Sequence, residues 1–192
     1  VIMDVHTVTG LPENSCVGVG KNEMDKKDHG ILLITTKGEI NVVNGGYPVS
    51  NEFQIVKLND DEELVIAQWL NAEDVENKSL VMVSTDGYVL NFPVSQVRTS
   101  NSGAGTVRGM NLNDGAKIAG ASVTDPETAE IVSCTYQTIK LTKLSEIPIR
   151  NRNAKGVILQ RLSKDDEIIN AFTGKRVIAN KNGKNLRLPE HT

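Results

Sequence analysis

Few side chains in this sequence are of types and spacings that do covalent or metal chemistry. The histidines His6, His29 and His191 share no metal-ligand spacing and stand near no nucleophile, so each reads as a surface residue. Cys16 and Cys134 are far apart, outside any metal pattern, and read as buried or half-buried free thiols. The run Asp60-Asp61-Glu62-Glu63 lacks the alternating ligands and central glycine of a calcium loop, which leaves a solvated turn. Gly103-Ala104-Gly105 precedes no Lys-Ser or Lys-Thr and no helix, so it reads as a flexible connection rather than a phosphate cradle. No catalytic group, metal site or cofactor is expected. A binding module fits this inventory better than an enzyme.

Charge is the remaining chemistry, and it is unevenly placed. Residues 1–100 hold 7 Lys/Arg against 15 Asp/Glu, whereas residues 101–192 hold 14 against 9, within a net charge of -3. The second part of the chain is where a polyanion could be met. With 192 residues, 39% of them hydrophobic, the chain can bury a sizeable core. No apolar run is long enough to span a membrane and no signal peptide opens the chain, which leads to the expectation of a cytoplasmic protein with no membrane contact.

The elements that would position those cations come from a repeat. Thr36-Lys37-Gly38 is echoed by Thr85-Asp86-Gly87, Thr135-Tyr136-Gln137 and Lys181-Asn182-Gly183, at steps of 49, 50 and 46. Each copy follows a β-branched or apolar run, such as Leu80-Val81-Met82-Val83, and precedes a second extended run. Lys-Gly, Asp-Gly and Asn-Gly supply the positive φ of a tight turn, so each copy reads as a β-hairpin with a two-residue turn; the third lacks its glycine and needs a looser one. A second phrase lies between the hairpins: Leu58-Asn59-Asp60, Leu112-Asn113-Asp114 and Leu162-Ser163-Lys164 each enter a polar turn and leave as another apolar run.

The unit is therefore about four strands in roughly 50 residues, and units that cannot bury their own faces stack around an axis as blades. Four blades over residues 1–192, in a single all-β domain, are expected. Val1 to Val5 resembles the exit of a second phrase and Asn182-Gly183 belongs to a first, so the two ends could complete one blade and close the ring. Gly10 to Asp28 reads as a surface insertion or a degenerate extra blade. Helix is confined to one short turn at Asn71 to Asn77.

The paired phrases carry a resemblance. Arg152-Asn153-Ala154-Lys155-Gly156-Val157 with Leu162 to Ile168, and Gly105-Thr106-Val107-Arg108-Gly109 with Leu112 to Gly115, resemble the blade signature of the C-terminal domain of the A subunits of DNA gyrase and topoisomerase IV. Leu80 to Tyr88 followed by Phe92-Pro93-Val94 resembles the other half of that blade. The resemblance covers about residues 31 to 190. It implies a β-pinwheel, a propeller-like ring whose blades exchange strands, and a basic perimeter that binds and bends duplex DNA for the cleavage core of a type II topoisomerase. By the same resemblance the cleaving tyrosine lies elsewhere in the A subunit, the ATPase lies in the B subunit, and both are partners of this domain.

Wrapping without base readout needs Lys and Arg along a curved face. The residues leading into the second phrases are the candidates: Arg98 and Arg108 in one, Arg150, Arg152 and Lys155 in the next. Arg161, Lys175, Arg176, Lys181, Lys184 and Arg187 extend the set. The basic, glycine-rich box of gyrase subunits has no counterpart here, since Asn101 to Thr106 keeps glycine without a cation and Asn51-Glu52-Phe53 is acidic. That departure points to a topoisomerase IV-like or divergent gyrase-like domain, or to one lacking its first blade. The alternative is a bladed protein-interaction scaffold with no nucleic acid, which the acidic first half keeps open.

Overall fold

In the computed structural model the described residues are 28–44 and 54–174, together with the backbones of two strands at 178–181 and 184–187. The expectations placed on Val1 to Val5, the insertion up to residue 27, Cys16, His6, His191 and Asn182-Gly183 lie outside them.

Each apolar run beside a turn phrase forms an antiparallel hairpin. These are β1 (Asp28–Thr35) with β2 (Glu39–Val43), β4 (Ser79–Ser84) with β5 (Tyr88–Pro93), and β9 (Glu130–Thr135) with β10 (Ile139–Lys143). A fourth hairpin joins β13 (Ile178–Lys181) to β14 (Lys184–Arg187). The apolar exits of the second phrases become β3 (Leu64–Asn71), β8 (Ile118–Thr124) and β12 (Ile168–Gly174). Each returns to pair with the first strand of the hairpin before it.

Between hairpin and return strand the chain makes an excursion into the preceding sheet. β6 (Thr99–Ser100) and β7 (Val107–Arg108) both pair with β2, and β11 (Val157–Ile158) pairs with β5. Three blades result: β3-β1-β2 with β6 and β7, then β8-β4-β5-β11, then β12-β9-β10. The blades exchange strands, as the resemblance implies, because a two-residue strand at the edge satisfies backbone groups that the hairpin alone would leave unpaired.

The core lies between the blades and follows strand alternation. Leu80, Met82, Leu90 and Phe92 of the second blade pack against Leu32, Ile34, Ile40 and Val42 of the first. Val81, Val83 and Val89 point the other way, onto Ile131, Leu144 and Ile168 of the third blade. One position changes chemistry between the two interfaces. Met82 and Met110 share the first, whereas in the second buried Ser133 donates its hydroxyl to Gln160 Oε1 at 2.9 Å. Helix α1 (Ala72–Asn77) is held by a capping box between Asn71 and Asp74. Among the described residues no helix is long and apolar enough to cross a membrane.

The turns differ from the sequence expectation in two ways. Three residues, not two, separate the strands: Gly38 N–H donates to Thr35 O and Gly87 N–H to Ser84 O, with φ of +77° and +90° at the glycines alone. This is a tight turn followed by a left-handed residue, the three-residue hairpin. The third turn is also shifted by one position. It runs Tyr136-Gln137-Thr138, where Thr138 stands in the glycine's place without a positive φ, and the hydroxyl of Thr135 accepts from the N–H of Gln137 at 3.1 Å and of Thr138 at 3.0 Å. A side-chain oxygen thus closes the turn that glycine closes elsewhere.

Candidate nucleic-acid interface

The excursions that exchange strands also carry the cations. Each begins with a 3-10 turn, Val94–Gln96 or Leu144–Glu146, and each has a left-handed residue 50 positions apart, Gly103 (φ +80°) and Asn153 (φ +69°). Asn153 is the one non-glycine with positive φ among the described residues, and asparagine tolerates that region better than most side chains. The second excursion lies directly on the first. Asn153 N–H donates to Gly109 O at 2.7 Å, Asn111 N–H to Ala154 O at 3.0 Å, and Arg152 N–H to Gln96 Oε1 at 2.7 Å.

This packing sets five of the predicted cations on two stacked excursions. The guanidinium of Arg152 donates to the Arg108 carbonyl, and Arg98 Nη2 donates to Gly105 O at 3.2 Å on the same excursion as Arg108. The Arg150 N–H donates to Asn91 O at 2.8 Å, fixing that residue to β5, and the Lys155 ammonium sits 4.6 Å from the centre of the Tyr88 ring. A guanidinium has five N–H donors, so Arg98 and Arg152 are oriented by these contacts while most of their donors stay available. Arg98, Arg108, Arg150 and Lys155 are exposed and Arg152 is half-buried. Arg161 is exposed too, but follows Gln160 beyond the Gly87 turn and touches none of the others. Among the described residues none of the six pairs with a carboxylate; the ion pair found there joins Lys37 to Asp61 at 2.6 Å, in the first blade.

Lys181, Lys184 and Arg187 fall on the fourth hairpin, whose backbone alone is described, and Lys175 and Arg176 lie outside the described residues. Sequence reasoning misses Tyr88, Gln96 and Asn91, which place Lys155, Arg152 and Arg150 without carrying charge. No signal in the sequence singles them out, since they are neutral residues whose role depends on contacts with residues 56 or more positions away or on the next repeat.

The acidic side is distinct. Asp60, Asp61, Glu63, Glu73 and Glu76 are exposed on the first blade. Lys37 holds the Asp61 carboxyl below its ordinary 3.8, chiefly through the hydrogen bond. Glu62 corrects the expectation of a wholly solvated run. It is buried, accepting from the Thr35 hydroxyl and from Asn59 Nδ2 at 3.0 Å, and so ties the hairpin turn to the second phrase. Burial pushes the Cys134 thiol above its ordinary 9.0.

Comparison with known families bears on two of these blades. A family described as the DNA gyrase C-terminal domain, a β-propeller, matches residues 78–125 and 138–175, which cover the second blade and most of the third. The chain thus resembles this gyrase C-terminal domain family over two of its blades. The DNA gyrase A subunit of Dehalogenimonas lykanthroporepellens is 30% identical over 98 residues, 51% of this chain and 12% of that protein. The Escherichia coli gyrase A subunit is 27% identical over 114 residues (59% and 13%), and that of Kosmotoga olearia 25% over 152 residues (73% and 18%). The chain therefore spans less than a fifth of the gyrase subunits it matches. Among solved structures, the C-terminal domain of DNA topoisomerase IV superposes with a TM-score of 0.70 at 22% identity, covering 80% of this chain and 48% of that one. The DNA gyrase A C-terminal domain superposes at 0.58 and 16% identity, covering 82% and 55%. Both share the fold of this gyrase-type domain.

Proposed function

We propose that this gyrase-type domain binds duplex DNA without regard to sequence, along the outer edge of its blades, and bends it toward the cleavage core of a type II topoisomerase. On this reading residues 1–192 form one pinwheel domain of about four repeats. The domain is an accessory, non-catalytic part of an ATP-dependent isomerase, working in the cytoplasm with the rest of its own A subunit, and with the ATPase B subunit.

The observation that carries the reading is the placing of Arg98, Arg108, Arg150, Arg152 and Lys155 on two stacked excursions, with no carboxylate among the described residues paired to any of them. Cations held at a fixed spacing neutralise backbone phosphates and release counterions, which gives affinity without base readout. The acidic first blade would repel the same backbone, so the track is one-sided and the affinity modest.

A salt titration with short and long duplexes tests this, with Arg150, Arg152 and Lys155 changed together to alanine. Affinity should fall steeply between about 50 and 200 mM salt, be greater for the longer duplex, and show a salt slope lower by about 2–3 in the variant, at about 0.9 per phosphate contact. Absence of binding at low salt would overturn the DNA role and redirect attention to partner subunits.

A further inference from the structure

One carboxylate stands beside the basic excursions. Glu39 and Arg108 are directly opposite each other in the antiparallel pair of β2 and β7, where facing Cβ atoms lie about 4.5–5.5 Å apart. The next pair in the ladder, Ile40 and Val107, turns into the core between the first and second blades, so strand alternation sends Glu39 and Arg108 together to the other face. Arg108 is exposed there and Glu39 is half-buried. No direct ion pair joins them. The Glu39 carboxylate accepts instead from the Thr106 hydroxyl at 3.3 Å, two residues before Arg108 on the same excursion.

The other charged groups of this part of the blade are engaged elsewhere. The Glu39 N–H donates to the Thr35 hydroxyl at 3.3 Å, and that hydroxyl is tied to the buried carboxylate of Glu62. Lys37 is held by Asp61, and the Arg98 guanidinium donates to Gly105 O. Arg108 is therefore the cation that faces Glu39 across the ladder. The repeat shows that the fold does not need an acid at this place. Glu39 follows the turn glycine Gly38, whereas Tyr88 follows Gly87, and the Tyr88 ring takes the Lys155 ammonium at 4.6 Å while leaving its charge intact. Ile139 follows Thr138 in the third hairpin, and Lys184 follows Gly183 in the sequence of the fourth. Of these four places only the first is acidic.

We propose that Glu39 sets the affinity of the DNA track: its carboxylate offsets the Arg108 guanidinium opposite and repels the phosphate that Arg108 would otherwise hold. Like charges brought close across an interface weaken binding, and a cation already facing an anion releases fewer counterions when it meets a second one. The track is thereby weakened at the first blade by one residue on the excursion's own sheet, in addition to the more distant acids of that blade. The inference rests on the DNA-binding reading above and names the residue that holds its affinity down.

The test uses the 192-residue chain and Glu39→Gln, which keeps an oxygen to accept from Thr106 while removing the charge; an unchanged unfolding midpoint shows that the pair of strands is intact. Binding to a duplex of about 40 base pairs is measured between about 50 and 200 mM salt. Glu39→Gln should bind at least about threefold more tightly at the lowest salt, with a salt slope steeper by about 0.9, the value of one further phosphate contact. In an Arg108→Ala background the same change should alter affinity less than about twofold, because the cation it frees is gone. Glu127→Gln makes an equal change of charge at an exposed residue in the loop between β8 and β9, and should also stay within about twofold of the wild type. If Glu39→Gln matches the wild type while binding persists, or if its gain survives without Arg108 or is equalled by Glu127→Gln, the role of Glu39 is refuted and the DNA-binding reading stands. Wild-type protein that binds no duplex at low salt refutes both.

Discussion

Gly87 is where the stability of the blades and the placement of the cations meet. Its backbone has φ +90°, and its carbonyl accepts from the N–H of Leu159 at 2.8 Å and of Gln160 at 3.2 Å, the point at which the next repeat docks. A Cβ on this residue would lie 2.3 Å from the Gln160 carbonyl oxygen. Gly87→Ala therefore has two costs. Holding an L-residue in the left-handed region costs about 1–2 kcal/mol. Relieving the clash moves residues 159–160 and weakens two hydrogen bonds between repeats, at about 0.5–1.5 kcal/mol each. The loss should total about 2–5 kcal/mol.

Gly115 separates the two effects. It has φ +76°, and a Cβ added there would meet nothing within 4 Å, so Gly115→Ala carries only the conformational cost of about 1–2 kcal/mol. Urea unfolding followed by circular dichroism should place Gly87→Ala about 1–3 kcal/mol below Gly115→Ala. Because the displaced segment adjoins β11, which lies between Lys155 and Arg161, Gly87→Ala should also weaken DNA binding more than Gly115→Ala does. Equal loss of stability in the two variants would refute the reasoning, since it would mean that docking of the next repeat on the Gly87 carbonyl contributes nothing measurable.

Three further outcomes are expected. Ser133→Ala should cost about 1 kcal/mol by leaving Gln160 Oε1 without its donor, and much less in a Gln160→Ala background, so a double-mutant cycle should show coupling. The Asp61 carboxyl should titrate below 3.8 by NMR and return toward it in Lys37→Ala; with the folded value depressed, what stability the pair gives is present above 3.8 and lost as pH falls through the folded value. In a Cys16→Ser background, Cys134 should react with a disulfide reagent at pH 8 more slowly than a free small thiol, since burial keeps it protonated. Its raised folded value places its stability contribution below 9.0, to be lost as pH rises through the folded value.

The repeat is legible because each hairpin spells itself twice, in the apolar runs and in the turn. Where the spelling fails, so does the reading. The third turn reads one residue early because Thr135-Tyr136-Gln137 matches the written pattern, whereas the fold uses the Thr135 hydroxyl and sets Thr138 in the glycine's place. The exchanged strands are two residues long, too short for any periodicity, and are legible only through the family resemblance. Glu62 reads as one of four exposed acids because its burial depends on Thr35, 27 residues away. The cations are evident by type, but nothing local distinguishes Arg108, which meets Arg152, from Arg161, which meets none of the others.

The arrangement of the blades explains why DNA contacts would fall on these excursions rather than on the hairpins. The hairpin strands of the second blade are buried on both faces, from Ser79 through Ser84 and from Val89 through Phe92, so their side chains are committed to the cores on either side. The excursion is the segment of each repeat that reaches the outer edge, leaves its polar side chains free, and is pinned to the neighbouring repeat by backbone hydrogen bonds. The contacts that set the second excursion on the first, Asn153 to Gly109 and Arg152 to Arg108, also fix the spacing between the two groups of cations, which is the spacing the proposed DNA track would use.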